Sequence, residues 1–100
     1  GPAVEAAVGS HPAVAHAAAV AMPDSVFGER VCVFAELRPG SSLELDALVT
    51  HLLERGTSKE MLPERLIVVD SLPMGSGGKV AKQVLREEIR GRVATEPERI

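Results

Sequence analysis

Arg65-Leu66-Ile67-Val68-Val69-Asp70-Ser71-Leu72-Pro73-Met74-Gly75-Ser76-Gly77-Gly78-Lys79-Val80-Ala81-Lys82-Gln83-Val84-Leu85-Arg86 reads as a strand, a loop and the start of a helix. The apolar, β-branched run from Leu66 to Val69 has strand character, and its lack of alternation predicts burial on both faces. Three glycines in four residues follow, closed by Lys79. Glycine permits positive φ and close approach of backbone to a ligand. Successive backbone N–H groups in such a loop can form a concave nest for an anion, and a terminal lysine adds a mobile point charge. Two readings stay open on these residues alone. One is an anion or phosphate site at a strand-to-helix junction, the other a flexible loop with a solvated lysine.

Downstream, Ala81, Val84, Leu85 and Ile89 supply one helical face and Lys82, Arg86 and Arg90 another. Gly91 is expected to end that helix, leaving residues 94–100 as a polar tail. Upstream, Leu45, Leu48, Val49, Leu52 and Leu53 recur at helical spacing, Ser41 or Ser42 can cap the helix, and Gly56 stops it. Residues 57–62 read as a short irregular or helical piece. Arg30 to Leu37 alternates as a strand, with Cys32, Phe34 and Glu36 opposite Val31, Val33, Ala35 and Leu37. Ala13 to Met22 is rich in alanine, which also suits helix. A short apolar run between prolines favours strand, with Val14, Ala18 and Val20 on one face. The two strands pair most simply as an antiparallel hairpin across a turn-rich connection, Pro23 to Glu29. Pro2 opens a helix through about Gly9-Ser10, which His11-Pro12 ends. The predicted fold is a small α+β domain in the order α-β-β-α-β-α, with a three-stranded mixed sheet and flanking helices. The third strand, reached through a helical crossover, should lie parallel to its neighbour.

One hundred residues, 45% of them apolar, suit one domain whose core is Ala, Val and Leu, since Phe27 and Phe34 are the only aromatics. A net charge of −3 argues against a nucleic-acid partner or an acidic membrane surface. Cys32 is the single cysteine, which excludes an internal disulfide and fits a reducing compartment. Ala13 to Met22 is too short for a membrane span and contains His16. A soluble cytoplasmic domain is expected.

Other chemistry-bearing residues point to structure first. His11, His16 and His51 lack the close spacing of a metal site. Cys32 in an apolar strand reads as a buried inert thiol. Asp24 and Glu29 suit turn and capping roles. Lys82 and Arg86 ride the last helix near the lysine loop, where phosphate steering or a solvated face are the alternatives. Val80 follows Lys79 where a P-loop needs Ser or Thr, so the nucleotide-hydrolase motif is not met.

Taken together, several segments resemble the C-terminal domain of the adenylate-forming superfamily of acyl- and aryl-CoA ligases, luciferases and peptide-synthetase adenylation domains. They are Val4-Glu5 with His11-Pro12-Ala13-Val14, Ala18-Ala19-Val20-Ala21-Met22-Pro23-Asp24, Phe27-Gly28-Glu29, Lys59-Glu60-Met61-Leu62-Pro63-Glu64, Val68-Val69-Asp70-Ser71-Leu72-Pro73, and Gly78-Lys79-Val80 with Leu85-Arg86. The series runs in the family's order from about residue 2 to residue 90. The resemblance implies that residues 1–93 form a mobile lid on a much larger N-terminal adenylation domain outside this chain. It implies that Lys79 is catalytic, meeting the substrate carboxylate and the ATP α-phosphate as acyl-adenylate and pyrophosphate form. Gly78, Gly77 and Ser76 would then lie on the ATP and adenylate side.

A swivel of the lid between half-reactions, a hinge-type motion, would present a second face to a thiol acceptor. The connection Asp24 to Arg30, with Arg30 and Arg55, is the candidate for that face. ATP, CoA and a small carboxylic acid are the implied substrates, with Mg²⁺ accompanying ATP and not held by this domain. Residues 56–64 look more like CoA ligases and stand-alone aryl-activating enzymes than peptide-synthetase modules, the chain as a whole looks closest to acyl-CoA ligases, and fatty-acid metabolism is the implied setting. The alternatives are the lid of a stand-alone aryl- or aminoacyl-AMP ligase that loads a carrier protein, and a non-catalytic binding module retaining the fold. The family tends to place Thr where Gly75 stands, and Ser or Asn where Gly77 stands. By itself the domain is expected to be inactive in adenylation.

Overall fold

The computed structural model describes residues 2–24 and 28–95. In chain order the elements are α1 (Pro2–Gly9), β1 (Val14–Asp24), β2 (Gly28–Leu37), α2 (Leu45–Glu54), β3 (Arg65–Val69) and α3 (Lys82–Thr95), with single 3₁₀ turns at Lys59–Met61 and Ser76–Gly78. The sheet order is β1-β2-β3, with β1 antiparallel and β3 parallel to the central β2. This is the mixed three-stranded α+β architecture that the periodicities predict.

Helices cover both faces of the sheet. Val4 and Val8 of α1 and Leu48 and Leu52 of α2 pack with Val14, Ala19, Val33 and Ala35 on one side. Leu85 and Ile89 of α3, with Leu72, pack with Ala18, Val20, Met22, Cys32 and Phe34 on the other. Both side-chain sets of β2 are therefore core, and Cys32, Val33, Phe34 and Ala35 are fully buried. Burial pushes the Cys32 thiol up to about 11, which leaves it protonated and unreactive at neutral pH. The alanines of β1 end up as strand because β2 supplies a ladder partner for them. Short side chains there also let α1 and α3 lie against the strand from opposite faces.

The structure corrects several expectations. Val14 does not share a face with Ala18 and Val20. It pairs with Leu37 and His16 with Glu36, so Ala15 is an extra residue in the ladder and the alternation inverts across this bulge. The Pro23–Glu29 connection is shorter than predicted, because β1 continues to Asp24 and β2 begins at Gly28. Residues 25–27, including Phe27, lie outside the described residues, as do residues 96–100 of the tail. Neither Ser41 nor Ser42 caps α2. Its first non-helical position is Glu44, whose side chain makes no capping bond, and the Ser41 N–H closes a turn onto the Arg38 carbonyl at 3.0 Å. Gly56 does end α2. Its N–H meets the Leu53 carbonyl at 3.0 Å and the Thr57 N–H meets that of Leu52 at 3.0 Å, the Schellman pattern.

The apolar stripes are narrower than their spacing suggests. Leu48 and Leu52 carry α2 inward while Leu53 is half exposed, and Leu85 and Ile89 carry α3 while Val84 is half exposed. β3 is not buried on both faces, because it is an edge strand. Ile67 and Val69 pack toward α3 and Leu66 toward α2, but Val68 is half exposed. Gly91 does not stop α3, which runs to Thr95. An interior glycine costs a helix about 1 kcal/mol relative to Ala. Val93, packed against the α3-side core one half-turn later, offsets that cost.

Candidate functional site

The lysine loop is a closed structure. Leu72, buried beside α3, roots it, and Met74 and Val80 pair across its base as an isolated antiparallel bridge. Within that base the Gly75 N–H donates to the Lys79 carbonyl at 2.6 Å. Just outside it the Ala81 N–H donates to the Pro73 carbonyl at 2.8 Å. Ser76–Gly78 form the 3₁₀ turn at the tip, and Gly77 and Gly78 hold φ of 71° and 75°. That left-handed region costs an L-residue with a Cβ roughly 1–2 kcal/mol. Glycine here therefore serves the turn, and Lys79 leaves it in an extended conformation with its side chain exposed. Gly75 is different, since its φ is −101° and a Cβ there would make only ordinary contacts of 3.6–3.8 Å. We expect Gly75→Thr to leave the urea midpoint unchanged, and Gly78→Val to lower stability by about 1–2 kcal/mol at constant m-value.

Two carboxylates tie this loop to the body. Glu36, near the end of β2, accepts the Leu72 N–H through Oε1 ahead of the loop. Behind it, the Lys82 ammonium lies 2.7 Å from Glu5 Oε2 in α1, and the same oxygen accepts the Ala19 N–H of β1 at 2.8 Å. Burial tends to raise the Glu5 carboxyl, but Lys82 and the Ala19 N–H outweigh it and hold the group below the usual carboxylate range. Lys82 thus ties α3 to α1. Arg86 is exposed on α3. Among the described residues Lys79 makes no ion pair, so it is the cation the loop presents outward.

The remaining candidates lie elsewhere. Arg30 is ion-paired with Glu64, whose N–H meets the Val31 carbonyl at 2.9 Å. Glu64 lines an open depression of about 440 Å³ with Leu45, Asp46, Val49, Thr50, Leu62 and Pro63. α2 and Leu62 belong to the sheet face opposite α3, so this depression and the lysine loop are rooted on different sides of the domain. Arg55 is exposed just past α2. The acceptor-side segment Asp24 to Arg30 includes residues 25–27, which lie outside the described residues.

Sequence spacing kept the histidines apart, yet the fold joins two of them. The His11 and His51 rings meet edge to face with centroids 4.8 Å apart, and Ser10 Oγ lies 2.9 Å from His51 Nε2. His11 Nδ1 accepts the Ala13 N–H at 3.0 Å. Burial, and then the nearness of His51, lower the His11 pKa. The pair braces the end of α1 against α2. Among the described residues no three or more His, Cys, Asp or Glu side chains converge as a metal site. The roles of Glu5 and Glu36 escaped the sequence as well. The one signal for Glu36 was its place on the buried side of β2, beside Cys32 and Phe34 in alternation.

Comparison with known proteins adds the following. The family model described as AMP-binding enzyme C-terminal domain matches residues 3–79. A salicylyl-CoA synthase/salicylate adenylyltransferase of a Streptomyces species is 42% identical over 81 residues, which are 81% of this chain and 15% of that protein. A 2,3-dihydroxybenzoate-AMP ligase of Bacillus subtilis is 44% identical over 80 residues, which are 80% of this chain and 15% of that protein. The apo structure of MbtA from Mycobacterium smegmatis superposes with a TM-score of 0.80 at 34% identity, covering 85% of this chain and 16% of that one. The chain spans about 15% of the length of the curated relatives it matches.

Proposed function

Because this chain belongs to the AMP-binding enzyme C-terminal domain family of adenylate-forming enzymes, we propose that it is the mobile lid of an ATP-dependent acid–thiol ligase. Lys79 is the residue it delivers. One observation carries this reading: an exposed lysine at the end of a glycine turn that is bridged at its base and tied down on both sides. Half-exposed Met74, bridged to Val80, and Val84, one turn beyond Val80 on α3, flank the loop with apolar surface of the kind that seats against another domain.

In the first half-reaction a substrate carboxylate oxygen bonds to the α-phosphorus of ATP and the bond to pyrophosphate breaks. Negative charge shifts among the carboxylate and phosphoryl oxygens as it does so. A cation already in place lowers the barrier without reorganising at the moment of reaction. ATP, its Mg²⁺ and the acid are assigned to the larger N-terminal domain, and a cytoplasmic setting to the whole protein. The acceptor is assigned as CoA, reached when the lid turns its other side inward. A second reading, the lid of an aryl-AMP ligase that passes its acyl group to a carrier protein, is favoured by the 2,3-dihydroxybenzoate-AMP ligase among the relatives. Supplying acyl-adenylate with CoA or with a phosphopantetheinyl carrier, and measuring which becomes acylated, separates the two.

A domain of this size does not enclose ATP and an acid by itself. We expect this chain alone to give no acyl-adenylate from ATP and a panel of aryl and aliphatic acids, followed by mass spectrometry. Acyl-AMP formed by the isolated chain would overturn the lid assignment.

A further inference from the structure

We propose that Glu5 and Glu36 are positioning residues for Lys79, each fixing one stem of the lysine loop: Glu36 holds Leu72 ahead of it and Glu5 holds Lys82 behind it. The proposal rests on Lys79 being the adenylation lysine and adds to it how the lysine is aimed.

The internal bonds of the loop define its shape but not its direction. Gly75 to Lys79 and Ala81 to Pro73 close the turn on itself. What aims it is whatever ties residues 72 and 82 to the sheet. Glu36 stands on β2, the strand hydrogen-bonded on both sides, opposite Val69 of β3 and His16 of β1. A carboxylate on the face shared with Cys32 and Phe34 is costly unless its oxygens are bonded. The Leu72 N–H supplies that bond. Glu5 joins three elements through one oxygen: its own helix α1, the Ala19 N–H of β1 and the Lys82 ammonium at the start of α3. Lys82 and Glu5 side chains are 31% and 22% exposed, so the pair is partly shielded from solvent and does more than a surface ion pair.

The loop needs such ties. Three glycines in four residues lose much conformational freedom on ordering, about 1–2 kcal/mol per residue for backbone alone. A catalytic group displaced by about 1 Å can forfeit on the order of 10² in rate. Pairing Lys82 with Glu5 also leaves Lys79 as the exposed cation between residues 72 and 82.

The test uses the full-length polypeptide carrying Glu36→Ala, Glu36→Gln, Glu5→Gln, Lys82→Met and the double Glu5→Gln/Lys82→Met, with Lys79→Ala alongside. Glu36→Ala is expected to lower kcat for adenylation by about 10-fold or more with KM for ATP and acid within about threefold. Glu36→Gln keeps an acceptor oxygen for Leu72 and should restore most of that rate. Glu5→Gln retains an acceptor for Ala19 but removes the negative charge that faces Lys82, so it and Lys82→Met should show similar losses that do not add in the double variant. Thioester formation from supplied acyl-adenylate should be unchanged in all of them. Amide exchange at Gly75 and Ala81, measured in the same proteins, should quicken while that of Val33 and Phe34 stays slow. Well-folded variants that keep adenylation kcat within about twofold while Lys79→Ala abolishes it would overturn the positioning role and spare Lys79. If Lys79→Ala is itself without effect, the catalytic assignment fails. The amide exchange then decides the stem contacts alone: unchanged exchange overturns them.

Discussion

Lys79→Ala in the full-length polypeptide is expected to slow acyl-adenylate formation by about 10²–10³-fold. Thioester formation from a supplied acyl-adenylate should remain near the unmodified rate. The magnitude is that of removing one preplaced electrostatic group from a site where charge develops. The selectivity follows from the two-sided domain, in which the lysine loop is rooted on the α3 face and cannot also serve the opposite face. Loss of stability is not a competing cause, because Lys79 is exposed and makes no ion pair among the described residues. Such surface substitutions shift stability by no more than about 0.5 kcal/mol. ATP–pyrophosphate exchange reads the first half-reaction and acyl transfer the second. Unchanged exchange would remove Lys79 from the mechanism, and equal loss of both steps would point to a general defect in lid closure.

The largest effect on folding is expected at Phe34. It is the largest of the fully buried side chains, on the strand paired on both edges, against Leu72, Leu85 and Ile89. Among the described residues Phe34 is the one aromatic side chain in the core, and Phe34→Ala leaves a space among Ala18, Val20, Leu72, Leu85 and Ile89 that these neighbours fill only in part. Such a change costs about 3–5 kcal/mol, set against a total of about 5–15 kcal/mol for a domain of this kind. Urea denaturation followed by far-UV circular dichroism should show a midpoint shifted to low denaturant, or no folded baseline at all. Leu53→Ala, at a half-exposed position of α2, should cost far less. A Phe34→Ala loss below about 1 kcal/mol would show that this core is not closely packed.

Much of the architecture was legible because short-range pattern governs it. Alternation gave β2, heptad-like spacing gave α2, and proline and glycine marked most ends. The misreadings share a physical origin, in that each needed to know what lay across from a residue. Val14 changes face because of a bulge that only the β1–β2 register reveals. Val68, Val84 and Leu53 look like core in one dimension but face outward, since no element covers them among the described residues. Gly91 fails to end α3 because Val93 beyond it has a packing partner. Within the candidate site, the glycine–lysine turn was legible from the residues, and a role for Lys79 was implied by the family resemblance alone. Glu5 and Glu36 were not legible, because their partners are 14 to 77 positions away along the chain and carboxylates carry no local sign of what they bind.

The order of helices and strands, the strand–glycine–lysine–helix segment, and membership of the AMP-binding enzyme C-terminal domain family could all be read from the residues in order. Those properties depend on residue type and near-neighbour spacing, which one dimension records. The tertiary structure decided where that lysine stands. It placed the loop on the α3 face, spent Lys82 on Glu5, held Leu72 with Glu36, and left Lys79 outward at the end of a pinned turn. Direction in space is a property of contacts between distant residues, and only the folded chain supplies them.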